Sequence, residues 1–184
     1  MKLMALEVVL LLLPHRMVAA LSGLLLLSFS TSAAEIPEYK LKAAYLYNFA
    51  VFTEWEEASM RDPFQLCIFG EDPFRDKIKR VTSRTIHDRS VKARTVKTLE
   101  GLAGCQMVFI APSANKRISQ VVAHLERQPV LMVADQKGAL NHGVMVNMMT
   151  RRGKVQFDIN LKAVKKSGLS MSAKLLRLAR KVIR

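Results

Sequence analysis

The sequence predicts an α/β fold: a layered, mostly parallel sheet with an antiparallel edge hairpin and helices on both faces. Three observations predict it. Apolar runs at Phe64–Phe69, 107–111 and 130–134 have the length and near-continuous hydrophobicity of strands buried on both sides. Segments with helical spacing of apolar residues alternate with them, the pattern of layered α/β domains. Last, 144–149 and 154–159 flank Thr150-Arg151-Arg152-Gly153, which reads as an antiparallel hairpin with Gly153 in its loop.

The first 34 residues stand apart from this pattern. Two apolar runs, 8–13 and 17–27, are separated by Pro14, His15 and Arg16. Arg16 supplies a positive flank, 17–27 a hydrophobic region, and Ser32 and Ala34 the small residues that precede a cleavage point after Ala34. The expectation is a signal peptide over 1–34 and a single domain over 35–184. An uncleaved membrane anchor is the alternative, since the apolar stretch from Val8 to Phe29 approaches the roughly 20 residues that span a bilayer.

In the domain, Pro37 suits the first turn of a helix. The segment 39–52 carries apolar residues at 41, 45, 49 and 52, and a second stripe of Ala44, Tyr47, Val51 and Trp55 leaves Lys40, Lys42 and Asn48 as its polar surface. A helix apolar nearly all round is buried in its own core or against a partner. Tyr47, Val51 and Trp55 are the candidate partner contacts.

The strand Phe64–Phe69 ends at Gly70, and Glu71-Asp72-Pro73 opens a short helix over 73–79. Residues 90–96 alternate Val91, Ala93 and Thr95 with Lys92 and Arg94, as an edge strand does. Pro112-Ser113 leads from the third run into a helix over 115–127, with Ile118, Val121, Val122 and Leu125 at helical spacing. Asp135-Gln136-Lys137-Gly138 is turn chemistry. After the hairpin, Asn160 caps a short helix ended by Gly168, and Ser170 caps a last helix over 171–182.

Removing 1–34 takes away Lys2, Arg16 and Glu7, leaving 27 basic and 14 acidic residues and a formal charge of +13. Such a charge favours acidic partners or anionic surfaces. A nucleic-acid role is disfavoured: aromatics do not interleave with the basic residues, and export removes the usual target. The two cysteines, Cys67 and Cys105, form an even pair that an oxidising compartment would allow to bridge, and that would otherwise be buried thiols. In a 2-1-3 order of the first three strands the first and third are neighbours, so the pairing is geometrically reasonable.

Catalytic chemistry finds no footing. His87, His124 and His142 are far apart in sequence and none has a metal-ligand partner at motif spacing. There is no nucleophile elbow, P-loop or dinucleotide fingerprint. The expectation is a protein that is not an enzyme and has no catalytic residues, cofactor or metal.

Tyr39-Lys40-Leu41-Lys42-Ala43-Ala44-Tyr45-Leu46-Tyr47-Asn48-Phe49, with Phe52 and Glu54-Trp55, resembles the opening helix of the YfiR family of periplasmic regulators. Cys67-Ile68-Phe69-Gly70-Glu71-Asp72-Pro73-Phe74, Cys105 before Met107-Val108-Phe109-Ile110, Val155-Gln156-Phe157-Asp158-Ile159-Asn160-Leu161 and the segment from Gly168 to Ala179 follow the same pattern in order. The resemblance implies a non-enzymatic periplasmic protein that binds the periplasmic sensor part of an inner-membrane diguanylate cyclase, holds it inactive and so lowers cyclic di-GMP and biofilm signalling. It also implies a homodimer and a family disulfide at Cys67 and Cys105. A second cysteine pair of some members is absent here. The other reading is an exported protein that binds a small ligand and has no cyclase partner.

Overall fold

A computed structural model describes residues 38–184, so the leader and its cleavage point lie outside the described residues. Helix α1 spans Glu38–Val51 and is followed by β1 (Thr53–Glu54), β2 (Phe64–Phe69), α2 (Lys79–Thr82), β3 (Thr85–Ile86), β4 (Arg89–Val96) and β5 (Met107–Ile110). The chain continues through α3 (Ile118–His124), β6 (Leu131–Ala134), β7 (Val146–Arg151), β8 (Lys154–Asn160), α4 (Leu161–Lys166), β9 (Ser170–Met171), α5 (Ala173–Leu178) and β10 (Lys181–Ile183).

Eight strands form one sheet in the order β10-β8-β7-β6-β5-β2-β4-β3. Strands β4, β2, β5, β6 and β7 are parallel, and β8 returns antiparallel to β7. The first three long strands take the 2-1-3 order. Strands β5 and β6 are buried at every residue, as are five of the six residues of β2, which explains their uninterrupted apolar runs. Cys67 of β2 and Cys105, two residues before β5, are joined by a disulfide with Cα atoms 5.9 Å apart.

Two-residue hairpins need both loop residues at positive φ to match the twist of their strands. His87-Asp88 (48° and 62°) joins β3 to β4, and Arg152-Gly153 (50° and 70°) joins β7 to β8. The loop of the second hairpin is therefore shorter than the four residues read from sequence. β3 pairs only with Arg89 and Ser90, so most of β4 is an edge, as its alternating cations suggested.

Other elements depart from the sequence reading. The helix expected over 73–79 starts later, because the Asp72 carboxylate accepts the Phe74 N–H at 2.7 Å and holds the chain in a turn. That turn seats Phe74 against Tyr39 and Phe109, with ring centroids 5.3 and 4.8 Å apart. A 3-10 turn over Arg75–Ile78 then leads into α2. The helix over 115–127 is likewise a 3-10 segment, Pro112–Arg117, followed by α3.

The last helix is the largest correction. Ser172, not Ser170, caps it by accepting the Leu175 N–H at 3.2 Å, while Ser170 belongs to β9, which pairs with β1 in a small antiparallel sheet. The helix stops at Leu178. The Arg180 N–H donates to the Phe157 carbonyl at 2.9 Å, and 181–183 pair parallel with β8. An open β8 edge offers ladder hydrogen bonds that β-branched Val182 and Ile183 accept readily.

α1 also turns a different face inward. Its buried residues are Lys42, Ala43, Leu46, Phe49 and Ala50. Of the two stripes read from sequence, only Phe49 is buried; Leu41, Tyr45, Tyr47, Val51 and Phe52 flank it, half-buried against the core.

Candidate functional site

At the carboxyl end of β6 the chain turns through Asp135-Gln136-Lys137, with Gly138 in the left-handed region at φ 82°. This turn, the β7–β8 hairpin and β10 enclose an open cleft of about 620 Å³, within the size range of small-molecule sites. Open α/β sheets commonly place ligands beyond the carboxyl ends of their strands. The equivalent position after β2 is closed: a Cβ on Gly70 would stand 2.7 Å from the Ser113 hydroxyl, and that hydroxyl accepts the Glu71 N–H at 2.8 Å.

The cleft wall contains polar atoms that are buried and unpaired. Asp158 is 4 % exposed; Arg180 donates to its Oδ2, while Oδ1 has no partner. Both the Nε2 and the Oε1 of Gln136 are buried and without partners. The Gln136 N–H itself is satisfied by Oδ1 of buried Asn147 at 3.2 Å. Leaving such groups unpaired costs on the order of 1–3 kcal/mol each. Lys137, Arg151, Arg180 and Lys181 also line the cleft and make it cationic.

One wall is tied to α1 by a charged network. Lys42, 2 % exposed, donates to Asp135 at 2.5 Å and to Glu38 one turn earlier. Tyr39 donates to the same Asp135 oxygen at 3.0 Å, and Thr150 donates to Glu38 at 2.7 Å. The hydrogen bonds from Lys42 and Thr150 hold the Glu38 carboxyl below its ordinary range. Burial first, then the Asp135 charge, pushes the Tyr39 hydroxyl well above the usual tyrosine value. Lys42 was read as surface. It is buried because two carboxylates, those of Glu38 and Asp135, pair with an amine that apolar packing alone would exclude.

Tyr47, Val51 and Trp55 lie on and just beyond α1. Tyr47 and Val51 are one helical turn apart, and all three are half-buried against the core. The Arg84 guanidinium sits 4.8 Å from the Tyr47 ring centroid, above a shallow depression with Thr82, Ser83 and Ser90. The Trp55 indole N–H donates to the Pro129 carbonyl at 2.8 Å, and its ring meets Phe64 and His87 at 5.4 and 5.9 Å. The structure gives Trp55 a packing task in the core and leaves part of Tyr47 open.

The histidines stay apart. His87 pairs with the Thr53 carbonyl and His142 with the Ser119 hydroxyl. Among the described residues no group of three or more His, Cys, Asp or Glu side chains is placed to hold a metal ion. No described helix is long and apolar enough to cross a membrane.

The cleft was missed from sequence, yet it left two signals. An aspartate stands between Phe157 and Ile159 in a strand, and a lysine lies inside an apolar helix; charged residues in such positions are almost never buried unless paired. The pairing itself joins residues 93 positions apart and is invisible to local periodicity.

A mostly parallel sheet pinned by one disulfide, with an open polar cleft and a cationic flank, defines an α/β domain. The chain belongs to the YfiR/HmsC-like family, whose model matches residues 39–180. The family is one of periplasmic regulators of diguanylate cyclase signalling. Among curated proteins no sequence matches. A solved structure, a conserved domain protein from Vibrio cholerae O1 biovar El Tor, superposes with a TM-score of 0.57 at 7 % identity, covering 79 % of this chain and 60 % of that one. This chain therefore spans well under two thirds of that protein, and the likeness is one of fold. An ABC domain in complex with L-Trp from Streptococcus pneumoniae gives a TM-score of 0.49 at 10 % identity over 65 % of this chain and 55 % of the other.

Proposed function

We propose that the protein is a periplasmic negative regulator, exported by a cleaved signal peptide over 1–34, that binds the periplasmic sensor part of an inner-membrane diguanylate cyclase. Binding one state of the sensor more tightly than another shifts the cyclase toward its inactive form, by no more than the difference in affinity. The observation that carries this reading is the family match over 39–180. Tyr47 and Val51 on α1, with the adjoining Arg84, supply the contact surface; Trp55 supports it from beneath. The domain acts as a homodimer, without nucleic acid, metal or cofactor.

The test is cellular cyclic di-GMP with this gene present or deleted, in cells with and without the candidate cyclase, alongside a check that the protein is processed and periplasmic. A rise on deletion that disappears when the cyclase is also removed supports the regulator. No change despite correct export refutes it. A second reading, an exported small-ligand-binding protein, is favoured by the unpaired Gln136 and Asp158 atoms in the cleft wall.

A further inference from the structure

The last 24 residues, 161–184, contain eight lysines and arginines and no carboxylate. Lys166 is paired with Glu126 and Arg180 with Asp158. Lys162, Lys165, Lys174, Arg177, Lys181 and Arg184 have no carboxylate partner among the described residues, and all six are exposed. The opposite edge of the sheet differs: from 71 to 100, Glu71, Asp72, Asp76, Asp88 and Glu100 are interspersed with the cations. Residues 71–100 carry nine cations against those five carboxylates, a net +4, so it is the net positive charge that is greatest over 161–184, at the β10 edge, at +8.

That edge also carries the one exposed large hydrophobic side chain among the described residues, Leu178, at 64 %. Lys174, Arg177 and Leu178 stand three and four residues apart on the outer face of α5, whose inner face buries Leu175. Lys162, Lys165 and Arg184 line a second depression together with Leu161, where α4 approaches β10. A single protruding leucine is too little apolar area for the core of a protein interface, which relies on a cluster of packed anchors. At a lipid surface the cations meet headgroup phosphates and supply most of the attraction, and one such side chain adds a smaller apolar contact at the acyl boundary.

We propose that the α5–β10 edge is a docking surface for an anionic phospholipid bilayer, with Leu178 inserted and Lys174, Arg177 and Lys181 on the headgroups. It would hold the domain at a membrane face and leave the surface of α1 for other contacts. The inference does not depend on which protein is regulated.

The experiment is co-sedimentation of the protein, as cells produce it, with phosphatidylcholine vesicles containing or lacking phosphatidylglycerol, at low and high salt. Each cation near such a surface is worth about fivefold in partitioning. K174E/R177E/K181E is therefore expected to lose binding to the anionic vesicles by more than a hundredfold, and L178A by about five- to tenfold. The triple reversal K79E/R80E/K92E, at the opposite edge and with the same change in net charge, is expected to retain most of the binding. Any contribution from the leader, including that of Lys2 and Arg16, is common to all variants and cancels in the comparison between them. Equal binding to neutral and anionic vesicles overturns the proposal, as does an equal loss in the two triple variants. A K174E/R177E/K181E protein that keeps its vesicle binding but loses its effect on the cyclase would make this edge a protein contact instead. Far-UV circular dichroism and melting temperature confirm that each variant folds.

Discussion

Replacing Lys42 with Met tests whether the buried network holds α1 to the sheet. Methionine keeps the length and the apolar stem of the side chain, so the change is mainly one of charge. Asp135, with a side chain 11 % exposed, is left with only the Tyr39 hydroxyl at 3.0 Å. Breaking a buried ion pair on one side costs about 3–5 kcal/mol. The lower end applies, since Asp135 keeps its tyrosine and Glu38, 45 % exposed, keeps Thr150 and water. About 3 kcal/mol in a domain of this size lowers the melting temperature by roughly 6–12 °C. Thermal unfolding near neutral pH, followed by circular dichroism, reads the shift. The double variant K42M/D135N no longer buries an unpaired charge and is expected to lose less than the two single variants together, by at least about 1 kcal/mol. A K42M protein melting within about 2 °C of the parent, or strictly additive variants, would refute the argument that the pair is buried and coupled.

Three further outcomes follow from the same geometry. The Cys67–Cys105 bridge spans a sequence separation of 38, for which the chain-entropy model gives about 4 kcal/mol, so C67A/C105A is expected to melt roughly 8–16 °C lower. Glu38 titrates below its ordinary 4.5, so its stabilising contribution is present above that value and lost as pH falls through the lower folded pKa; E38Q is expected to flatten the fall of melting temperature on that acid limb. Tyr39 is shifted upward, so stability is full below the ordinary tyrosine pKa and declines as pH rises past it, and ultraviolet difference titration should show Tyr39 ionising above the ordinary tyrosine range, a delay that D135N shortens in part.

The parallel core was legible because its strands are buried on both faces and therefore apolar without interruption. Phe64–Phe69 was read with its observed limits, and Asn160 was correctly read as a cap: its side chain accepts the Ala163 N–H at 3.0 Å. The disulfide was legible for a related reason, since the 2-1-3 order makes β2 and β5 neighbours. Periodicity failed on α1, where apolar residues almost encircle the helix and several faces fit equally well. The face turned inward buries Ala43, Leu46, Phe49 and Ala50 together with Lys42, whose amine reaches Asp135.

The C-terminal segment failed for a different reason, and the reason bears on the cleft. Leu175, Leu178 and Val182 keep a helical spacing past the end of α5, so local sequence favours a longer helix. The observed strand depends on β8, twenty residues earlier, whose outer edge would otherwise present unpaired backbone groups. Once 181–183 join that edge, Arg180 is carried to Asp158, and the aspartate inside the strand acquires the cation that permits its burial. A continued helix would instead leave Asp158 as a buried anion without a partner, at a cost of several kcal/mol. Strand β10 and the charged wall of the cleft are thus one structural decision: removing the strand pairing should remove the Arg180 contact, and with it the reason for an aspartate at 158.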